Sequence, residues 1–146
     1  MFEYLKIMFL SAAPFVELRG GIPAGILMDL NPFLVYISCV FSSTAVSIPL
    51  VIFFRRFLEF LRTIKGFKNI VALIDKKIDA NTKRIKNASL IGIILFVGIP
   101  IPSTGTWTAS MIASVLKMRL KDVLLGVFLG NLLSGFIMMS VSLHLF

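Results

Sequence analysis

The chain has 146 residues, 58% hydrophobic and 15% charged, with a formal net charge of +8; soluble domains are about half apolar and a quarter charged. A soluble core of this size cannot hide that much apolar surface, whereas lipid can. The positive charge does not indicate nucleic acid: ten of the fifteen Lys and Arg residues lie between Arg55 and Lys86, between two hydrophobic blocks, with no aromatic platform or helix-turn-helix pattern beside them.

Met1 to Leu30 is apolar but interrupted by Pro14, Glu17, Arg19, Gly20, Gly21 and Pro23. Its first residues faintly resemble a signal peptide, but the positive n-region is missing and Glu3 is present, so it reads as mature protein. Each apolar piece is too short to span a bilayer, and the pair predicts a re-entrant helical hairpin; one kinked spanning helix is the alternative. Phe33 to Phe54 then runs for 22 residues without a formal charge, about 33 Å of helix against a hydrocarbon core of about 30 Å. From Arg55 to Ala88, apolar residues recur near helical spacing among basic ones, with Gly66 between two stretches. This predicts an inward extension of the long helix, then an amphipathic helix held on anionic lipid headgroups.

Ser89 to Met118 repeats the broken pattern around Gly98, Pro100, Pro102, Ser103, Thr104 and Gly105, and Val123 to Phe146 is a second long apolar run. If Ser89 to Met118 crossed the membrane, Lys117, Arg119 and Lys121 would emerge outside, against the positive-inside rule. A hairpin entering and leaving on the cytoplasmic face keeps them inside. At an offset of 88 residues Pro14 falls on Pro102, Glu17 on Gly105, Arg19 on Trp107 and Leu30 on Met118. The expected fold is therefore an all-α integral membrane domain over residues 1–146 in the plasma membrane. It comprises two inverted repeats, 1–54 and 89–146, each a re-entrant hairpin plus one transmembrane helix, joined by a basic cytoplasmic linker at 55–88. Both termini face outward.

Charges at membrane depth need a partner or a wet cavity, which makes Glu17 and Arg19 the leading site candidates. Gly20, Gly21 and Pro23 beside them would unwind the backbone toward a polar substrate; a structural ion pair is the plain alternative. In the second hairpin, Pro100, Pro102 and Gly105 break the helix, while Ser103, Thr104, Thr106 and Thr108 supply hydroxyls that either cradle an anionic headgroup or cap the broken ends. Trp107 reads equally as site residue or interfacial anchor. Gly126 and Gly130 permit close packing within one chain or between two, and a homodimer or larger is expected because one chain encloses little volume. Asn131 sits mid-helix with a hydrogen bond to make. Cys39 is the sole cysteine, and no paired carboxylates, metal-ligand spacing or phosphate loop appears, so neither an enzyme nor a cofactor is expected.

The stretches ELRGGIP and IPIPSTGTWTASMIAS together resemble the small multidrug export protein family, over nearly the whole chain. That family looks like a compact relative of the DedA/VTT superfamily, which implies two re-entrant hairpins and lipid or carrier-lipid translocation. The superfamily resemblance implies acidic residues in the first hairpin, which Glu17 fits, and an arginine in the second, where this chain has none; Arg19 would have to serve. Three functions follow. The first is translocation or scrambling of a lipid or lipid-phosphate, with Glu17 and Arg19 meeting a headgroup. The second is proton-coupled export of small cations through Glu17, and the third a non-transporting assembly factor.

Overall fold

A computed structural model describes residues 1–80, 82–101 and 104–145. These residues form seven helices: α1 (Phe2–Ala12), α2 (Glu17–Leu27), α3 (Pro32–Thr63), α4 (Lys65–Ala80), α5 (Thr82–Gly98), α6 (Thr106–Val115) and α7 (Leu120–Leu145). Only α3 and α7 are long and apolar enough to cross a membrane. Pro32 at the first helical position and the Asn31 side chain, accepting from the Phe33 N–H at 3.0 Å, start α3.

α3 and α7 run antiparallel through the centre: Tyr36 Oη donates to the Leu132 carbonyl at 3.0 Å, Phe41 meets Phe128, and Val51 shares a core cluster with Val123. α1 and α2 form an antiparallel hairpin beside them, in which Gly21 faces Ser11 and Gly25 faces Ile7. α5 lies parallel to α7, stacking Ile93 on Gly126 and Val97 on Gly130. Polar residues share the interior with two apolar clusters, and the exterior is largely apolar. Ser43, Ser47, Ser110, Asn131 and Ser134 are buried, while Phe9, Phe41, Phe53 and Phe136 are 60% exposed or more. An apolar exterior of that extent is unlike a water-soluble domain and fits a lipid surround.

The 88-residue offset recurs in the capping geometry. After α2, the amides of Met28, Asp29 and Leu30 donate to the carbonyls of Ala24, Ile26 and Gly25, with Asp29 at φ 54°. After α6, the amides of Leu116, Lys117 and Met118 donate to Ile112, Ser114 and Ala113, with Lys117 also at φ 54°. Both are Schellman caps with a non-glycine residue in the left-handed position. The long helix follows two residues after each cap, at Leu120 as at Pro32.

Two expectations are corrected, and one of two open alternatives is realised. The linker breaks at Ile64, which is extended (φ −84°, ψ 123°), and Gly66 lies inside α4; the Thr63 hydroxyl bonding back to the Phe60 carbonyl at 2.6 Å helps end α3 there. Gly20, Gly21 and Pro23 do not unwind the chain: all three lie inside α2, and the break falls earlier, between Ala13 and Val16. The glycines serve close packing instead, since a Cβ at Gly20 would overlap Val16 Cγ1 and one at Gly21 would overlap Ser11 Oγ. Finally, Gly126 and Gly130 are buried against α5 and are used within the chain. A Cβ at Gly130 would stand 2.6 Å from Val97 Cβ and 3.1 Å from the Ile94 carbonyl. Gly130→Ala is thus expected to lose about 2 kcal/mol by overpacking. Gly92→Ala, with nothing within 4 Å of its Cβ, is expected to gain up to about 1 kcal/mol from helix propensity. Thermal unfolding in one detergent compares the two.

Candidate functional site

The tip of the first hairpin turns over Ala13 to Val16 and delivers Glu17 in the left-handed region (φ 49°). That conformation costs a non-glycine residue of order 1–2 kcal/mol, and here it is over-determined. The Glu17 N–H donates to the Ala13 carbonyl at 3.1 Å, and the side chain is held from the other hairpin. Glu17 is only 6% exposed; its carboxylate accepts from the backbone N–H of Trp107 at 3.3 Å. It is the N-terminal cap of α6, supplied from 90 residues away. Gly105, at the capping position, has no side chain to offer, and a Cβ there would overlap the Glu17 carboxylate. A negative group at a helix N-terminus is also favoured by the helix dipole.

Arg19, two residues on, serves the other broken end. Its guanidinium donates to the carbonyls of Val97 (3.3 Å), Ile99 (3.1 Å), Ile101 and Thr104. These are the last carbonyls of α5 and those of the loop beyond it, which no helical amide can reach. Thr104 Oγ1 adds to the same cluster, donating to the Ile101 carbonyl at 2.9 Å. The exchange is mutual. Trp107, which the offset sets against Arg19, donates its indole N–H to the carbonyl of Ala12, the last residue of α1, at 3.2 Å. Each hairpin therefore closes the broken end of the other. Glu17 and Arg19 form no ion pair with each other within 4.0 Å among the described residues.

Beside this junction is a cavity of about 550 Å³, lined by Phe15, Glu17, Arg19, Pro100, Thr108 and Met138 among others. That volume lies in the range of small-molecule pockets. Of the residues singled out from sequence, Glu17, Arg19, Gly20, Pro100, Gly105 and Thr108 line it. Gly21 faces Ser11 and Cys39 instead; Pro23 is inside α2 and off the cavity wall. Thr104 caps carbonyls, and Trp107 joins the hairpins. Pro102 and Ser103 lie outside the described residues.

A family model described as Putative small multi-drug export protein matches residues 17–137, most of the chain. The chain belongs to this family. No curated protein and no solved structure matches it. The match starts at Glu17 itself and takes in α2, the tip of the second hairpin and α7 as far as Ile137. A family named for export, with two apolar helices long enough to span, makes this a membrane protein of the transport class.

In this family member, residues behind the cavity join the second hairpin to the central helices and those helices to each other. Thr106 Oγ1 meets Ser43 Oγ at 3.2 Å, and Asn131 Nδ2 donates to Thr44 Oγ1 at 3.1 Å and to Thr106 Oγ1 at 3.4 Å. Asn131 thus has the hydrogen bonds its mid-helix position required. Four cavity residues were not among the candidates: Pro14, Phe15, Val16 and Met138. The first three immediately precede Glu17 in the chain and could have been included on that ground. Met138 had no signal, being one apolar residue in an apolar helix; the packing of α2 on α7 brings it to the wall.

Proposed function

We propose that this protein exports small amphipathic cations through the hairpin junction, with Glu17 as the carboxylate that meets the cation and exchanges a proton for it. One observation carries the reading: both terminal nitrogens of the Arg19 guanidinium are turned onto four backbone carbonyls of the second hairpin. An anionic headgroup would have to displace those carbonyls to engage the two terminal nitrogens together. Glu17, by contrast, has about four acceptor sites on its carboxylate and spends one on the Trp107 amide. The wall is completed by Phe15, Val16 and Met138, an aromatic and thioether lining that suits the apolar body of an organic cation. Lipid or lipid-phosphate translocation, with the DedA/VTT kinship that suggests it, is the second reading and needs Arg19 released.

The reading includes an inverted repeat of two re-entrant hairpins in the plasma membrane, meeting near mid-depth. α1 and α2 have 11 residues each, about 16 Å or half the hydrocarbon core. Lys117, after α6, pairs with Asp75 and Asp79 of α4 at 3.4 and 3.5 Å, and Arg55 at the inner part of α3 donates to the Met118 carbonyl. These pairings support an end of the second hairpin on the linker side, and the antiparallel α3 and α7 support opposite orientations of the repeats. A homo-oligomer remains part of the proposal, through a surface other than Gly126 and Gly130.

Two experiments test this. In proteoliposomes with an imposed pH gradient, ethidium is expected to move and a fluorescent phospholipid is not; lipid scrambling without ethidium movement would transfer the proposal to the second reading. For topology, single cysteines replace Asp29 or Arg119 in a Cys39→Ser background. An impermeant maleimide added to intact cells should label position 29 and spare 119, and labelling at 119 would overturn the inverted arrangement.

A further inference from the structure

A second cavity, of about 350 Å³, opens at the inner end of α3, and its walls carry Arg55, Arg62, Lys117 and Arg119 against a single acid, Glu59. The carboxylates of α4 reach its rim: Asp75 pairs with Arg62 at 3.0 Å and with Lys117 at 3.4 Å, and Asp79 with Lys117 at 3.5 Å. Arg55 spends one bond on the Met118 carbonyl. Arg119 is exposed and makes no hydrogen bond or ion pair through its side chain among the described residues. Its position is informative. The 88-residue offset sets Arg119 against Asn31, whose side chain caps the start of α3. Arginine has no acceptor to offer, so it cannot cap the start of α7 in the same way. Where the first repeat has its own acceptor, the second presents a cation beside a cavity already rich in cations.

We propose that this cavity binds a phosphate-bearing anion at the inner membrane face, held by Arg55 and Arg119 with Lys117 and Arg62 around it. Guanidinium groups from two elements suit the oxygens of a phosphate, and the helix start behind Arg119 favours negative charge. The site does not depend on the Glu17 cavity, which faces the opposite hairpin tip. Two sources share this chemistry, the headgroup of an anionic phospholipid and a soluble phosphorylated compound.

The test uses the full chain in neutral-lipid nanodiscs. Retention of phosphatidylglycerol is read by native mass spectrometry, and binding of inorganic phosphate alone is read by calorimetry. Arg119→Asn installs the cap of the first repeat, so folding is expected to be kept; Lys68→Asn removes the same charge from α4 away from the cavity. Arg119→Asn should lower binding about tenfold, the loss of one charge-assisted contact, and Lys68→Asn should leave it unchanged. That pattern with phosphatidylglycerol alone assigns a lipid headgroup, and with inorganic phosphate as well assigns a soluble phosphate compound. Equal losses in the two variants, no loss in either, or no binding by the unmodified protein would overturn the site.

Discussion

Arg19→Ala is expected to destabilise the protein by about 3 kcal/mol and to loosen the second hairpin, although the substitution is in the first. Hydrogen bonds from a charged donor contribute about 1.5–3 kcal/mol each. Arg19 serves four carbonyls between the last turn of α5 and the start of α6, of which those of Ile99 and Ile101 also accept from the Ile101 and Thr104 amides. Water can rescue those next to the cavity, which is why the expected loss is nearer one strong bond than four. Arg19→Lys keeps the charge and three donors on a single centre, and should recover part of the loss without matching a planar fork that spans several carbonyls. Unfolding in detergent measures the loss, and proteolysis between residues 99 and 105 locates it. Stability equal to the unmodified protein would show that the carbonyls do not depend on Arg19.

The second large effect is expected at Gly105. A Cβ there would lie inside the volume of the Glu17 carboxylate, so Gly105→Ala must expel the carboxylate or shift the start of α6. Overpacking of this kind costs about 1–3 kcal/mol, and here it also removes the cap from the Trp107 amide. Glu17→Ala vacates the space, so the double variant should be less destabilised than the two single losses added together. A coupling of about 1 kcal/mol or more between the two positions is the expected result of the cycle. Additive losses would mean that residues 17 and 105 do not touch. The same cycle between Glu17 and Gly92, which has open space around it, should be additive.

The long helices were legible because nothing interrupts them: two uncharged runs of more than 20 residues between polar turns have few other structures available. The broken hairpins were legible from proline and glycine, but the position of the first break was not. Glycine serves both unwound backbone and close helix contact, and Gly20 and Gly21 turned out to serve contact. The offset alignment had already set Arg19 against Trp107, yet nothing in either residue type says that each reaches across to the end of the opposite hairpin. Such cross-capping is a property of two segments about 90 residues apart, and a one-dimensional pattern records only that each segment is broken. The ion pair that Glu17 and Arg19 suggested by proximity in sequence gives way to two separate helix ends because a positive and a negative terminus lie within reach of each.

The most direct measurement of the central claim is binding of tetraphenylphosphonium, a compact apolar cation, to the purified protein and its variants. The unmodified protein should bind it. Glu17→Gln, which keeps one acceptor oxygen for the Trp107 amide and so should keep the fold, should lose the ionic part of the affinity, about tenfold or more. Arg119→Asn at the distant inner cavity should bind as the unmodified protein does. Undiminished binding in a folded Glu17→Gln protein would contradict the account, leaving the carboxylate as a helix cap and nothing more.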